Sequence, residues 1–222
     1  MRNGRDKIVR TMRGHLVTII QDEILGKKYA PGDRIKEDEL SEELGISRTP
    51  IREALVILEQ RGLVVQKPHR GTFVVNFTRE EIIDLLHVQA VLEGLAASLA
   101  AANRTDEQAK ELSELTRSLS RRSSIDSRAF YDYDRKFHYK FVECSGSPMI
   151  TRIVEVQSAQ VYLCRYYTIT APNRFRHSTQ EHKEIVERII ARDSAGAEKA
   201  ARNHMESVIQ DYLASGQEKL AT

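Results

Sequence analysis

Tryptophan is absent from this chain of 222 residues, and aromatic residues make up only 6% of it. Cysteine occurs just twice, at Cys144 and Cys164. That is too few for the disulfide framework of a small secreted domain and fits a reducing cytoplasm. Cys164 falls inside an apolar helical run, where a thiol serves as a small buried hydrophobe. Five prolines and 11 glycines exclude collagen-like and low-complexity classes, and several of them punctuate turns and helix ends. No apolar run reads as long enough to span a membrane, and the basic N-terminal stretch lacks a signal peptide's apolar core. There is no zincin-like motif. The chain reads as a soluble cytoplasmic protein without a membrane partner.

What is present is ordinary in amount and informative in arrangement. Hydrophobic residues at 41% and charged residues at 30% suit a globular chain of one large domain or two small ones. The net charge is only +2, but residues 1–77 carry +3 and residues 78–222 carry −1. Positive charge in the first part gathers at Arg2, Arg5, Lys7, Arg10 and Arg13, and again at Lys67 and Arg70. Such clusters suit phosphate contact, although basic arms are also often merely solvated.

Val9, Met12, Leu16, Ile20 and Ile24 predict a helix over 6–25, closed by Gly26. After the Pro31-Gly32-Asp33 turn, a short helix is predicted over 37–44, ended by Gly45. A third helix starts at Ser47, read as its N-cap, with Pro50 in the first turn, where a missing N–H costs nothing. Ile51, Ala54, Leu55 and Leu58 form its core face, while Arg48, Thr49 and Arg52 lie on the outer side near its start. Two strand-like runs follow, 63–66 and 72–75, joined by the basic turn Lys67-Pro68-His69-Arg70-Gly71. Three helices and a hairpin in this order predict a winged helix-turn-helix. A generic small α+β domain would leave the arginines at the helix tip and the wing tip without a role.

Thr78-Arg79-Glu80-Glu81 is a capping-box pattern and starts a new domain. The expected organisation is therefore a DNA-binding domain over 1–77 and an all-helical domain over 78–222. Helices are predicted at about 79–102, 105–121, 127–144, 148–169, 178–192 and 195–214, a six-helix bundle. Residues 123–126 and 170–177 read as loops. The fold class is thus mainly α, with the small β hairpin of the wing.

Within this bundle, four polar residues fall on stripes that should be apolar. Asp134 and His138 share a face with Phe130, Phe137 and Phe141; His182 aligns with Ile185, Val186 and Ile189; His204 aligns with Ala197, Ala200, Ala201 and Val208. A buried carboxylate needs compensation. Any one histidine alone reads best as a satisfied core residue, and a buried Asp–His ion pair is a further alternative. All four pointing inward favour a divalent metal, with Zn, Ni, Mn and Fe equally compatible with the ligand types.

Both halves resemble one family. Pro31-Gly32-Asp33-Arg34-Ile35 and the run from Leu44 to Leu55, with Arg61-Gly62-Leu63 and Arg70-Gly71, are similar to the DNA-binding domain of GntR-family bacterial transcription regulators. Asp134-x-x-x-His138, Glu181-His182 and Asn203-His204 resemble the metal motif of the FadR-type C-terminal effector domain, in its smaller VanR-like branch. The resemblance implies a homodimer, acting as a repressor on a pseudo-palindromic operator in double-stranded DNA. It also implies a small-molecule effector, a carboxylate or sugar acid, beside the metal. It assigns DNA contacts to Ser47, Arg48, Thr49 and Arg52, to the wing residues His69, Arg70 and Gly71, and to Asp38. The family's usual effector-binding arginine is replaced here by the neutral amide Gln89, so the resemblance implies effector contact by Gln89 with the charged part of the task shifted to Arg152, Arg165 or a loop residue. Two other readings use the same cluster: a direct metal sensor, and a metal-dependent enzyme fused to a DNA-binding module. The absence of a general base beside the ligands speaks against the enzyme.

Overall fold

The computed structural model describes residues 2–26, 28–120, 127–168 and 174–214. They form two compact units, the first running through Phe77 and the second beginning at Thr78.

The first unit consists of α1 (Arg2–Leu25), β1 (Arg34–Ile35), α2 (Glu37–Leu44), α3 (Arg48–Gln60), β2 (Val64–Lys67) and β3 (Gly71–Val74). Leu16, Ile20 and Ile24 of α1 meet Ile51, Leu55 and Leu58 of α3 in a core almost closed to solvent. The strands form an antiparallel sheet in the order β1-β3-β2, with Phe73 opposite both Arg34 and Val65. β1 was not legible as a strand; two residues beside a Pro-Gly turn carry no alternation. Gly45 ends α2 in the left-handed region, at φ 63°. Between α2 and α3 the expectation for Ser47 needs correction. It occupies the N-cap position with an extended backbone, but its hydroxyl makes no capping bond. The third helical residue is Pro50, which has no N–H to give the cap. The Ser47 side chain therefore stays exposed.

The second unit contains six helices among the described residues: α4 (Arg79–Asn103), α5 (Asp106–Ser120), α6 (Ser127–Cys144), α7 (Pro148–Thr168), α8 (Arg174–Ile190) and α9 (Ser194–Ala214). The capping box opens α4 as its sequence suggests: Thr78 Oγ1 accepts from Glu81 N–H, and Glu81 accepts from Thr78 N–H. By length and composition α4 is apolar enough to cross a bilayer, contrary to the reading that no run is. Its Ala96, Ala97, Ala100 and Ala101 are instead buried in the core, where α4 packs along α9 with its Ala197, Ala200 and Ala201. Small residues on both helices let the backbones approach closely. At Gly94 a Cβ would lie 2.9 Å from Arg202 Cγ.

α8 begins at Arg174, so the stretch 170–177, read as a loop, is helical in its last four residues. The apolar stripe that revealed this helix begins only at Ile185. Its first turns use Arg174, Ser178 and His182 on the same face, which a hydrophobic pattern does not register. Arg104, 8% exposed, ties two helix ends together: its guanidinium donates to the Ile190 carbonyl at 2.7 Å and pairs with Asp106.

Candidate functional site: a basic helix tip and a buried histidine cluster

In the first unit Ser47, Arg48, Thr49 and Arg52 are all exposed at the N-terminal end of α3. Neither arginine hangs free. Arg48 Nε lies 2.5 Å from Asp38 Oδ1, and Arg52 Nε donates to Glu37 Oε2 at 2.5 Å. Both carboxylates belong to the first turn of α2, where negative charge also complements the helix dipole. The wing tip carries His69 in the left-handed region, at φ 59°, and Gly71 at φ 103°. Arg70 N–H closes the turn on the Lys67 carbonyl at 3.0 Å. His69, Arg70 and Gly71 are exposed. Gly71 also has a packing reason: a Cβ there would sit 3.0 Å from Arg34 Nε.

In the second unit, α6, α8 and α9 bring His138, His182 and His204 together, each with a possible ligand atom within 4.8 Å of the others. All three are buried, as is Asp134. Asp134 Oδ1 lies 3.5 Å from His138 Nε2 and 3.6 Å from His182 Nε2. The His182 ring stacks on Phe137 with centroids 3.9 Å apart, which fixes its plane. Outside the cluster two further carboxylates face the imidazoles. Glu93 Oε2 is 2.8 Å from His138 Nδ1, and Glu181 Oε2 is hydrogen-bonded to His204 Nδ1 at 2.7 Å. At His204 the carboxylate on Nδ1 fixes the tautomer and leaves Nε2 as a lone-pair donor, the usual arrangement around a metal-ligating histidine. Both ring nitrogens of His138 are buried without a hydrogen bond, the Glu93 oxygen being near Nδ1 but out of line for one.

Arg174, 2% exposed, sits beside this cluster. Its guanidinium bonds Ser178 Oγ at 2.8 Å, Ser207 Oγ at 3.0 Å and Asp211 Oδ2 at 2.7 Å, and it pairs with Glu181. His177 Nδ1 lies 3.1 Å from the same Asp211 oxygen. Asp134, Arg174, Ser178 and His204 line a small cavity with Leu86 and Phe130, offering about 20 Å³ to the centre of a water molecule. Asp134, Glu93, Glu181 and Asp211 thus outnumber the one guanidinium. Two of these carboxylates, Asp134 and Glu93, are buried; burying them is costly, and a dication among the three imidazoles would offset it. The donor set of nitrogen and oxygen atoms fits Zn, Ni, Mn or Fe.

The sequence expectations for effector contacts fare unevenly. Gln89 is 2% exposed, and its Oε1 is buried without a hydrogen-bond partner, one turn before Glu93 on α4. Arg152 is exposed on α7 and is not among the residues lining the cavity. The Arg165 side chain lies outside the described residues. Sequence reasoning assigned no role to Glu93 or Arg174, and it named Glu181 only as the neighbour of His182 in the motif, not as the partner of His204. Extending the α8 stripe backwards from His182 in steps of four, through Ser178, reaches Arg174.

Comparison with known proteins matches two family models in chain order. Residues 13–74 match the gntR family of bacterial regulatory proteins, and residues 84–207 match the FCD domain. The chain belongs to the GntR family. This GntR-family protein is a DNA-binding transcriptional regulator with an FCD effector domain, and its relatives are regulators rather than enzymes. It is 30% identical over 202 residues to the HTH-type transcriptional regulator Rv0043c of Mycobacterium tuberculosis, covering 91% of this chain and 81% of that one. It is 24% identical to the HTH-type transcriptional repressor RspR of Escherichia coli, covering 90% of this chain and 88% of that one. Among solved structures, Escherichia coli McbR/YncC shares the fold, with a TM-score of 0.72 at 20% identity, covering 91% of this chain and 97% of that one. A putative GntR regulator from Rhodococcus sp. RHA1 gives 0.73 at 21% identity, covering 93% and 100%.

Proposed function

We propose that this regulator is a cytoplasmic homodimeric repressor whose operator affinity is set by a small metabolite. The effector, a carboxylate or sugar acid, binds beside a divalent metal held by Asp134, His138, His182 and His204. The observation that carries the reading is the convergence of three buried imidazoles beside Asp134, with Glu93 and Glu181 behind two of them. A dication there supplies positive charge and a coordination position for an effector oxygen. Arg174 lines the cavity, and Gln89 is buried one turn from Glu93 with Oε1 lacking a hydrogen bond; these two are the polar groups assigned to orient the rest of the ligand.

On the DNA side, Arg48 and Arg52 enter a major groove from the start of α3, with Ser47 and Thr49 beside them, and His69, Arg70 and Gly71 of the wing meet the flanking backbone or minor groove. A homodimer is supported by exposed apolar side chains. Val88, Val91 and Leu95 form one stripe of α4, and Met149, Ile153 and Val156 form one of α7, a helix that packs against α4. A second copy would cover this face and give two reading heads for a pseudo-palindromic operator.

The test combines selection of a duplex from a random library with binding to that duplex. The Arg48→Ala/Arg52→Ala variant is expected to lose specific binding while keeping its fold and metal content. Wild-type affinity in that variant would refute the assignment. Screening sugar acids and hydroxy acids by thermal shift then tests the effector, which should raise the melting temperature only in metal-loaded protein. The narrow cavity favours a second reading, a direct metal sensor, because about 20 Å³ holds water rather than a metabolite without rearrangement. That reading requires operator affinity to follow metal concentration with no organic ligand present.

A further inference from the structure

The two ion pairs at the start of α3 have a consequence for specificity. Arg48 is 59% exposed and Arg52 64%, yet each is engaged at Nε, the inner edge of the guanidinium, by a carboxylate from the first turn of α2. We infer that Asp38 and Glu37 are positioning residues for DNA reading: they hold Arg48 and Arg52 by the inner edge and trade non-specific phosphate attraction for sequence discrimination. The inference rests on the proposal that these two arginines enter the groove.

The physical case has two parts. The first is geometry. A guanidinium held at Nε still has Nη hydrogens facing away from its partner, and a fork of two parallel donors is what guanine O6 and N7 accept. A long arginine side chain without such a strut samples many rotamers and loses more entropy on docking. The second part is charge. Two arginines paired with two carboxylates contribute no net charge to the head of the α2–α3 unit. An arginine that swung away to a phosphate would leave its carboxylate uncompensated beside the DNA polyanion. Random placement on DNA is therefore penalised, while placement that keeps both pairs intact is not. Exposed ion pairs add little to fold stability, so the pairs need not have been kept for folding.

The experiment uses the full-length protein, the selected duplex described above and a random-sequence duplex of equal length. Binding is measured by fluorescence anisotropy over a salt series. The variants are Asp38→Asn, Glu37→Gln and, as control, Glu42→Gln, which removes one exposed charge from the same helix. Asp38→Asn and Glu37→Gln should each tighten binding to the random duplex and steepen its salt dependence by about one unit of log–log slope. Each should also lower the ratio of specific to non-specific affinity about tenfold. Asp38→Glu, which restores the carboxylate, should recover part of that ratio, and melting temperatures should stay at the wild-type value. Equal effects from Glu42→Gln would reduce the result to net charge and overturn the inference, as would an unchanged ratio in Asp38→Asn and Glu37→Gln. If Arg48→Ala/Arg52→Ala binds the selected duplex normally, the underlying reading fails instead, which separates the two failures.

Discussion

Glu181 Oε2 is hydrogen-bonded to His204 Nδ1 at 2.7 Å, and the same oxygen takes the guanidinium of Arg174. One carboxylate thus couples an imidazole of the buried cluster to the cation that lines the adjoining cavity. Removing its charge should disturb the cluster without removing any ligand. Glu181→Gln is expected to weaken binding of a divalent metal by about 10–100-fold, the usual cost of losing such an outer partner. Competition against a chromophoric chelator measures it, and unchanged affinity would deny Glu181 this role.

Arg174→Met should be costly for folding. It removes the cation shared by Glu181 and Asp211, side chains only 23% and 18% exposed, and leaves them only His204 and His177. Breaking a mostly buried pair in this way costs about 3 kcal/mol, read from urea denaturation. Adding Asp211→Asn to that variant should restore part of the loss, because one of the stranded charges is then gone.

How far the sequence alone reached is clearest on α8. His182, Ile185, Val186 and Ile189 share a face, and the helical period exposed that face at once. The first two turns of the same helix were invisible, because Arg174 and Ser178 are polar and hydrophobic periodicity cannot count them. Their burial is decided by partners on α9, Ser207 and Asp211, that only the fold brings near. The four inward-facing residues could be found because a polar residue on an apolar stripe is conspicuous. The roles of Glu93 and of Glu181, the latter quoted only as the neighbour of His182, were harder to see, since a glutamate beside a helix's apolar face usually reaches solvent. β1 was beyond reach for a different reason: its two residues are a strand only because β3 lies beside them.

The thiols should be silent at neutral pH. Burial pushes Cys144 up to about 11 and Cys164 up to about 12. Neither is expected to react with iodoacetamide at pH 8 in the native protein, and both should react after unfolding in urea. Because the folded values lie above the ordinary thiol value of about 8.5, their contribution to stability is complete below that pH. It declines as pH rises beyond it, so stability should fall above about pH 9. Alkylation of native protein at pH 8 would contradict the buried placement.

Val91→Glu places a charge in the middle of the exposed α4 stripe, where Val91 is 52% exposed. If a second copy covers that stripe, the variant should sediment as a monomer with an unchanged circular dichroism spectrum. Its affinity for a pseudo-palindromic duplex should fall while a half-site duplex binds as before. A variant that remains dimeric would move the interface elsewhere.

The account turns on the buried cluster, and equilibrium metal binding tests it most directly. Protein stripped with a chelator and titrated with Zn²⁺ against a competing dye should bind one dication per chain. His182→Ala, still folded by circular dichroism, should lose that binding. Absence of binding in the wild type, or wild-type binding in His182→Ala, would contradict a metal held by Asp134, His138, His182 and His204.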